Sequence, residues 1–214
     1  MVQRMKLLAA VVVGVCLVSA CAFVSEARAY TDVQQFSVKG STAIAFFTNT
    51  DESGCVVTYV GVYASDEVTR VKPEPATATS SVFVFVDKLD YCDWVYLASI
   101  FGYQEIAVDD FAVEKKLSDA NLGALISAYD YVSGMPTQLE VLLNWSATGP
   151  VSQIGSRSFY RTPGFSVKSN FKGAFAPATA SGSVILDGVN LVPNASDYAE
   201  IADISFGDMV KIKY

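Results

Sequence analysis

Histidine is absent from all 214 residues. That excludes Ser-His-Asp and Cys-His catalysis as usually built, and the His-containing zinc sites. Cysteine is scarce. Cys16 and Cys21 lie in an N-terminal apolar run, which leaves Cys55 and Cys92 in the body of the chain. No GxxxxGK[ST] loop and no GxGxxG turn is present, so the phosphate-loop and dinucleotide classes have no support and no cofactor is expected. Charge is thin at 17 % of residues, with a net of −7. An acidic chain is repelled by nucleic acid, which rewards the opposite sign, so no nucleic-acid partner is expected. Acids are themselves missing from one stretch. Between Val141 and Leu186 there is no Asp or Glu, while Arg157, Arg161, Lys168 and Lys172 are all present.

The N-terminus is expected to be a leader. Arg4 and Lys6 precede an uncharged apolar run over 7–24, and Ala27-Arg28-Ala29 offers small residues around a cut. These are the marks of a secretory signal peptide over 1–29. Two rivals exist. Val18-Ser19-Ala20-Cys21 resembles the lipobox of bacterial lipoproteins, which would place a lipid on Cys21. The apolar run could also stay as a short membrane anchor. Each puts the body outside the cytoplasm, secreted or in the cell envelope, with membrane attachment through the N-terminus in two of the three. In that setting Cys55 and Cys92 are expected to form one disulfide.

The remainder, 30–214, reads as a single β-rich domain. Val, Ile, Phe, Tyr and Thr dominate, with Gly, Ser, Asn and Asp at short intervals. That composition predicts many short strands with turns between them. About a dozen are predicted, over 33–38, 42–49, 55–64, 81–86, 94–101, 105–113, 123–132, 138–146, 164–169, 173–176, 182–186, 199–204 and 209–214. Leu139, Val141, Leu143 and Trp145 share one face of their segment; Val210 and Ile212 alternate with Lys211 and Lys213. A two-residue period means one buried and one wet face, as in antiparallel sheets. Residues 117–129 also fit helical spacing through Leu122, Leu125, Ile126 and Tyr129, but the strand reading is preferred. The fold class expected is all-β, an antiparallel sandwich-like domain. Residues 70–81, with Pro73 and Pro75, are expected to be a long loop within it. Residues 148–164 are expected to be a second long connection. Trp94 and Trp145 both lie within alternating strands and are expected in the core.

One phrase recurs. Phe-Ser-Val-Lys occurs at Phe36 and again at Phe165, with a looser Phe-Ala-Val-Glu at Phe111. Each is followed by alternating apolar residues and a Ser-Gly pair, at Gly54, Gly134 and Gly182. A β-hairpin used three times would produce this pattern.

Candidate chemistry is limited. Asp87, Asp90 and Asp93 recur every third residue around Cys92 and could converge on Ca²⁺, which takes six to eight oxygens. Turn capping accounts for such residues equally well. Asp187, Asn190, Asn194 and Asp197 raise the same question. A hydrolase working through two carboxylates could draw on Asp109, Asp110, Asp130 or Glu140, although Glu140 lies opposite an apolar face. Asn144 and Asn194 begin glycosylation sequons. The acid-free stretch is the best binding candidate. Arg157, Phe159, Tyr160 and Arg161 interleave bases with aromatics in a predicted loop, suited to anionic or sugar ligands through forked hydrogen bonds and stacking. The functional expectation is a non-enzymatic module that binds a ligand, glycan or protein partner there. The alternatives are a carboxylate-dependent extracellular hydrolase and a small outer-membrane β-barrel. The barrel alternative rests on the aromatic that ends an alternating segment.

Overall fold

The structure, a computed structural model, describes residues 31–213. The signal peptide, lipidation at Cys21 and the anchor reading fall outside them. Eleven strands form one antiparallel sheet: β1 (Thr31–Thr50), β2 (Val56–Lys72), β3 (Thr77–Asp90), β4 (Val95–Ile106), β5 (Phe111–Val113), β6 (Asp119–Asp130), β7 (Met135–Ala147), β8 (Ser152–Thr162), β9 (Phe165–Leu186), β10 (Val189–Asn190) and β11 (Tyr198–Lys213). There is no α-helix among the described residues, and 119–130 is a strand, as preferred.

The sheet closes. β1 pairs with β2, β2 with β3, β3 with β4 and β4 with β6; β6 pairs with β7, β7 with β9, β9 with β11, and β11 with β1 again. The all-β antiparallel expectation holds. The closure is one ring-like sheet, whose opposite walls take the place of a sandwich's two stacked sheets.

Inward residues fill the ring. Val60, Val62 and Ala64 of β2 alternate with Val82, Val84 and Val86 of β3 and with Leu139, Val141, Leu143 and Trp145 of β7, and all are essentially inaccessible. Burying side chains of this size stabilises by roughly 1.5–3 kcal/mol each against leaving them exposed. Trp145 is core, as expected. Trp94 is not: it is 77 % exposed at the β3–β4 turn with φ of 55°.

The strands are fewer and longer than expected because glycines that read as breaks lie inside strands. Gly40, Gly173 and Gly182 sit where no side chain fits. A Cβ at Gly40 would run into the Asp66 carbonyl, at Gly173 into the Phe175 ring, and at Gly182 into the Leu142 carbonyl. In-strand glycines of this kind mark close approach rather than a turn. The Ser-Gly pairs at Gly54 and Gly134 are true turns with φ of 75° and 71°. The pair at Gly182 lies within β9. The Phe-x-Val copies are not equivalent either: Phe111 is buried in the core, whereas Phe36 and Phe165 lie on strand stretches away from it. The expected loop over 70–81 shrinks to a turn at 73–76, since β2 and β3 occupy the rest.

The β4–β6 seam is narrow, with three paired positions from Ile100 to Gly102. Side chains extend it at both ends. Asp130 accepts from the Ser99 N–H at 3.0 Å, and Gln104 Oε1 accepts from the Ser127 N–H at 3.0 Å. The Cys55–Cys92 disulfide then joins the β1–β2 turn to the β3–β4 turn, as expected.

Four strands outrun the ring. Pairing of β7 with β9 ends at Ala147–Ala178, and β8 takes its place along 165–175 of β9. The outer halves of β9, β11, β1 and β2, with β8 at one side, therefore form an open sheet continuous with the ring. β8 occupies the span expected to be a connection.

Candidate functional site

Directly opposed residues in an antiparallel ladder point to the same face, and the register across the open sheet is unbroken. One row runs Gly155, Lys172, Ser205, Lys39, Val68. The next runs Arg157, Asn170, Gly207, Ser37, Arg70. A third runs Phe159, Lys168, Met209, Gln35, Lys72, and a fourth Arg161, Ser166, Lys211, Val33. Among the residues whose side chains are described, eight cations therefore share one face: Lys39, Arg70, Lys72, Arg157, Arg161, Lys168, Lys172 and Lys211. All eight are exposed. None stands opposite a carboxylate in the register. Asp66 and Asp203, paired through Ser41, lie one row nearer the ring and close the basic field on that side.

The alternation explains this face. In Phe36-Ser37-Val38-Lys39 and Phe165-Ser166-Val167-Lys168, Ser and Lys take the basic face while Phe and Val take the other. Residues 209–212 do the same with Met209 and Lys211 against Val210 and Ile212. The opposite face is mainly apolar, with Phe36 against Phe206 at 6.2 Å between ring centroids, and carries Asp208 opposite Phe36. The basic face shares the parity of Ala43, Ala45 and Phe47, so it continues the ring's inner surface.

Cations rim this face and small residues floor it. A cleft of about 350 Å³ is lined by Gln35, Ser37, Arg70, Lys72, Lys168 and Asn170, and Asp208, whose register places it on the other face, borders it. At its centre, a Cβ added to Gly207 would meet nothing closer than 3.6 Å, so the floor is open. Strands spaced roughly 5 Å apart, with same-face residues roughly 7 Å apart along each, make the field about 20 Å across. Arg157 is held in place by donating Nε–H to Asn170 Oδ1 at 3.3 Å.

Of the residues singled out from the sequence, Arg157, Phe159 and Arg161 lie on this face. Tyr160 lies on the other, 6.5 Å from Phe165 between ring centroids. All four are in a strand, not a loop. Arg70, Lys72, Lys39 and Lys211 come from distant segments, and pairing alone brings them to the site.

The acidic candidates are engaged in turns. Asp90 Oδ1 accepts from the Cys92 and Asp93 N–H groups at 2.8 and 3.1 Å, and Asp87 accepts from the Ser99 hydroxyl at 2.7 Å. Among the described residues, the convergent group at this turn is Cys55, Asp90 and Cys92. Its two sulfurs are bonded to each other, so it offers no thiolate ligand. Asp130 caps its turn through Val132 and Ser133. Burial would raise its carboxyl, but these donors and Ser99 hold it below the ordinary value. Asp109 and Asp110 lie in a 3-10 turn. Glu140 and Asp187 border a second, shallow cleft of about 590 Å³ on the outside of β6, β7 and β9, and both are exposed.

No family model matches the sequence, and no curated protein matches it. One solved structure, of an acetoacetate decarboxylase-like enzyme from Sphingomonas wittichii RW1, aligns over 91 % of this chain and 96 % of its own at 9 % identity. Its TM-score is 0.17, too slight a likeness to bear on fold or activity.

Proposed function

We propose that this chain is a non-enzymatic binding protein of the exported or envelope class, and that the basic face of its open sheet holds a polyanionic ligand such as an acidic glycan. One observation carries the reading: eight exposed Lys and Arg side chains share one sheet face with no carboxylate opposite them, in a chain of net charge −7. Like charges gathered this way repel one another and cost stability. A bound anion offsets that cost.

Several features support this reading over its rivals. The ring interior is apolar and filled, whereas outer-membrane barrels have polar interiors. A hydrolase working through two carboxylates sets them across a cleft with one held protonated by burial; Glu140 and Asp187 are exposed, Asp130 is held ionised, and the carboxyls that burial raises, Glu67 and Glu200, line neither cleft. The disulfide fits an oxidising setting, where glycans and envelope polymers are the available polyanions.

The test is binding of dextran sulfate against uncharged dextran, followed by calorimetry at several salt concentrations. Binding to the sulfated polymer alone is expected, weakening as salt rises because counterions are released on association. Gly207→Trp fills the floor without changing charge and should reduce affinity along with Arg70→Ala and Lys168→Ala. Equal binding of both polymers, or affinity indifferent to salt, would overturn the reading.

A further inference from the structure

We propose that the free edge of β8 is a docking site for an extended acidic peptide, which adds to the sheet as an antiparallel strand beside Arg157 and Arg161. The proposal rests on the reading of the basic face given above and names a second, more specific ligand for its margin.

Ring closure removes most sheet edges: β5 has three residues and β10 two, and the open ends of the β4–β6 seam are bridged by Asp130 and Gln104. β8 is different. It runs for eleven residues, pairs in unbroken register with β9, and has all eleven residues exposed. Among the described residues, no strand lies beside the row of main-chain N–H and C=O groups on its other side. Such an edge is a template for pairing, which proteins commonly blunt with proline, a bulge or a covering element. From Ser152 to Thr162 there is no proline and no register shift. Strand addition to an exposed edge is a recurring mode of peptide capture, in which the main chain supplies affinity and alternate side chains supply specificity.

The side chains of β8 define that specificity. Arg157, Phe159 and Arg161 project on the basic face; Ser158 and Tyr160 project on the other. Cross-strand pairs favour opposite charges and aromatic or apolar partners. An antiparallel guest strand would therefore carry an acid opposite Arg161, an apolar residue opposite Tyr160, an aromatic opposite Phe159, a small residue opposite Ser158 and an acid opposite Arg157. That order reads Glu-Val-Phe-Ser-Glu. A second copy of the chain is a poorer guest, because self-pairing centred on Phe159 sets Arg157 opposite Arg161 of the other copy. Like charges so placed are destabilising.

The test uses the full chain and a labelled peptide built around Glu-Val-Phe-Ser-Glu, with binding read by fluorescence anisotropy. Two further peptides carry N-methyl groups on alternate backbone nitrogens, one set in each parity. One parity faces β8 and should lose binding by about tenfold or more, since its N–H donors are gone; the other should bind as before. Exchanging charges, with Arg157→Glu and Arg161→Glu against a Lys-Val-Phe-Ser-Lys peptide, should restore binding. Equal binding by both N-methylated peptides would overturn strand addition. So would a dimer in sedimentation that tightens on Arg161→Glu, because the edge would then serve self-association. Loss of peptide binding with dextran sulfate binding retained would sink this inference and leave the basic-face reading standing. Failure of both ligands would sink both.

Discussion

Trp145 of β7 donates its indole N–H to the backbone carbonyl of Ile44 in β1, at 2.9 Å. β7 and β1 are not neighbours in the ring, since β9 and β11 lie between them. The bond therefore spans the interior and ties opposite walls together. A buried indole needs a partner for its N–H, and a strand carbonyl is the acceptor here.

Two substitutions separate the bond from the bulk. Trp145→Phe keeps most of the apolar volume but leaves the Ile44 carbonyl without its donor. It should cost about 1–3 kcal/mol, the range for a buried group left unsatisfied. Trp145→Ala adds a cavity and should cost about 3–5 kcal/mol. Urea unfolding followed by far-UV circular dichroism measures both. No measurable loss in Trp145→Phe would mean that the hydrogen bond adds nothing to packing.

Gly182 is the in-strand glycine with the least freedom to change. Its φ of 138° lies in a region that side chains disfavour, and a Cβ would collide with the Leu142 carbonyl. Backbone strain of this type costs of order 1–3 kcal/mol, before any displacement of β7. Gly182→Ala should therefore lower the urea midpoint clearly. Gly54→Ala is the control, since φ is also positive there but nothing lies within 4 Å of the added Cβ. It should show the smaller loss.

The sequence made the strand class legible and obscured where strands end. Alternation at Leu139, Val141, Leu143 and Trp145 named an inward face correctly, because period two is a local property. Gly40, Gly173 and Gly182 misled because crowding by another strand leaves no local mark; a glycine at a turn and one under a neighbour's carbonyl look alike. The run Val82-Phe83-Val84-Phe85-Val86 held a signal, since a strand apolar on both faces needs cover on both. Here the Phe85 ring lies over Gly61 of β2. The site was half legible. Arg157, Phe159 and Arg161 stood out through an acid-free stretch. Arg70 and Lys72 sit among acids in sequence, Lys39 stands alone, and all three reach the same face only through long-range register.

The disulfide closes a sequence separation of 37 residues. On the chain-entropy account such a link stabilises by about 3–4 kcal/mol. Tyr91 already donates its N–H to the Cys55 carbonyl at 2.9 Å, so the two turns stay adjacent without the sulfur bond. Cys55→Ser with Cys92→Ser should therefore keep the native circular dichroism spectrum while lowering unfolding free energy by roughly that amount. A loss well under 1 kcal/mol would indicate that the unfolded chain gains little freedom when the link is removed.

Glu67 provides a dependence on pH with a defined sign. It lies half-buried on β2, opposite Gly40, whose missing side chain leaves room for the Glu67 stem. Burial first, and the neighbouring Asp66 charge second, raise its carboxyl above the ordinary 4.5. Tyr63 is pushed up to about 12 by its own burial and by the Glu67 charge. The folded state thus holds the Glu67 proton more tightly than the unfolded chain. The contribution is favourable below about pH 4.5 and is lost as pH rises through the raised folded value. Ionised Glu67 is accordingly a net cost at neutral pH. Glu67→Gln removes the charge and keeps the shape, so it should be more stable than the parent at pH 7. That advantage should shrink as pH falls and vanish below the ordinary carboxylate range. Urea midpoints for the two proteins between pH 3.5 and pH 8 measure it; a constant difference across that range would show that the Glu67 charge does not couple to folding.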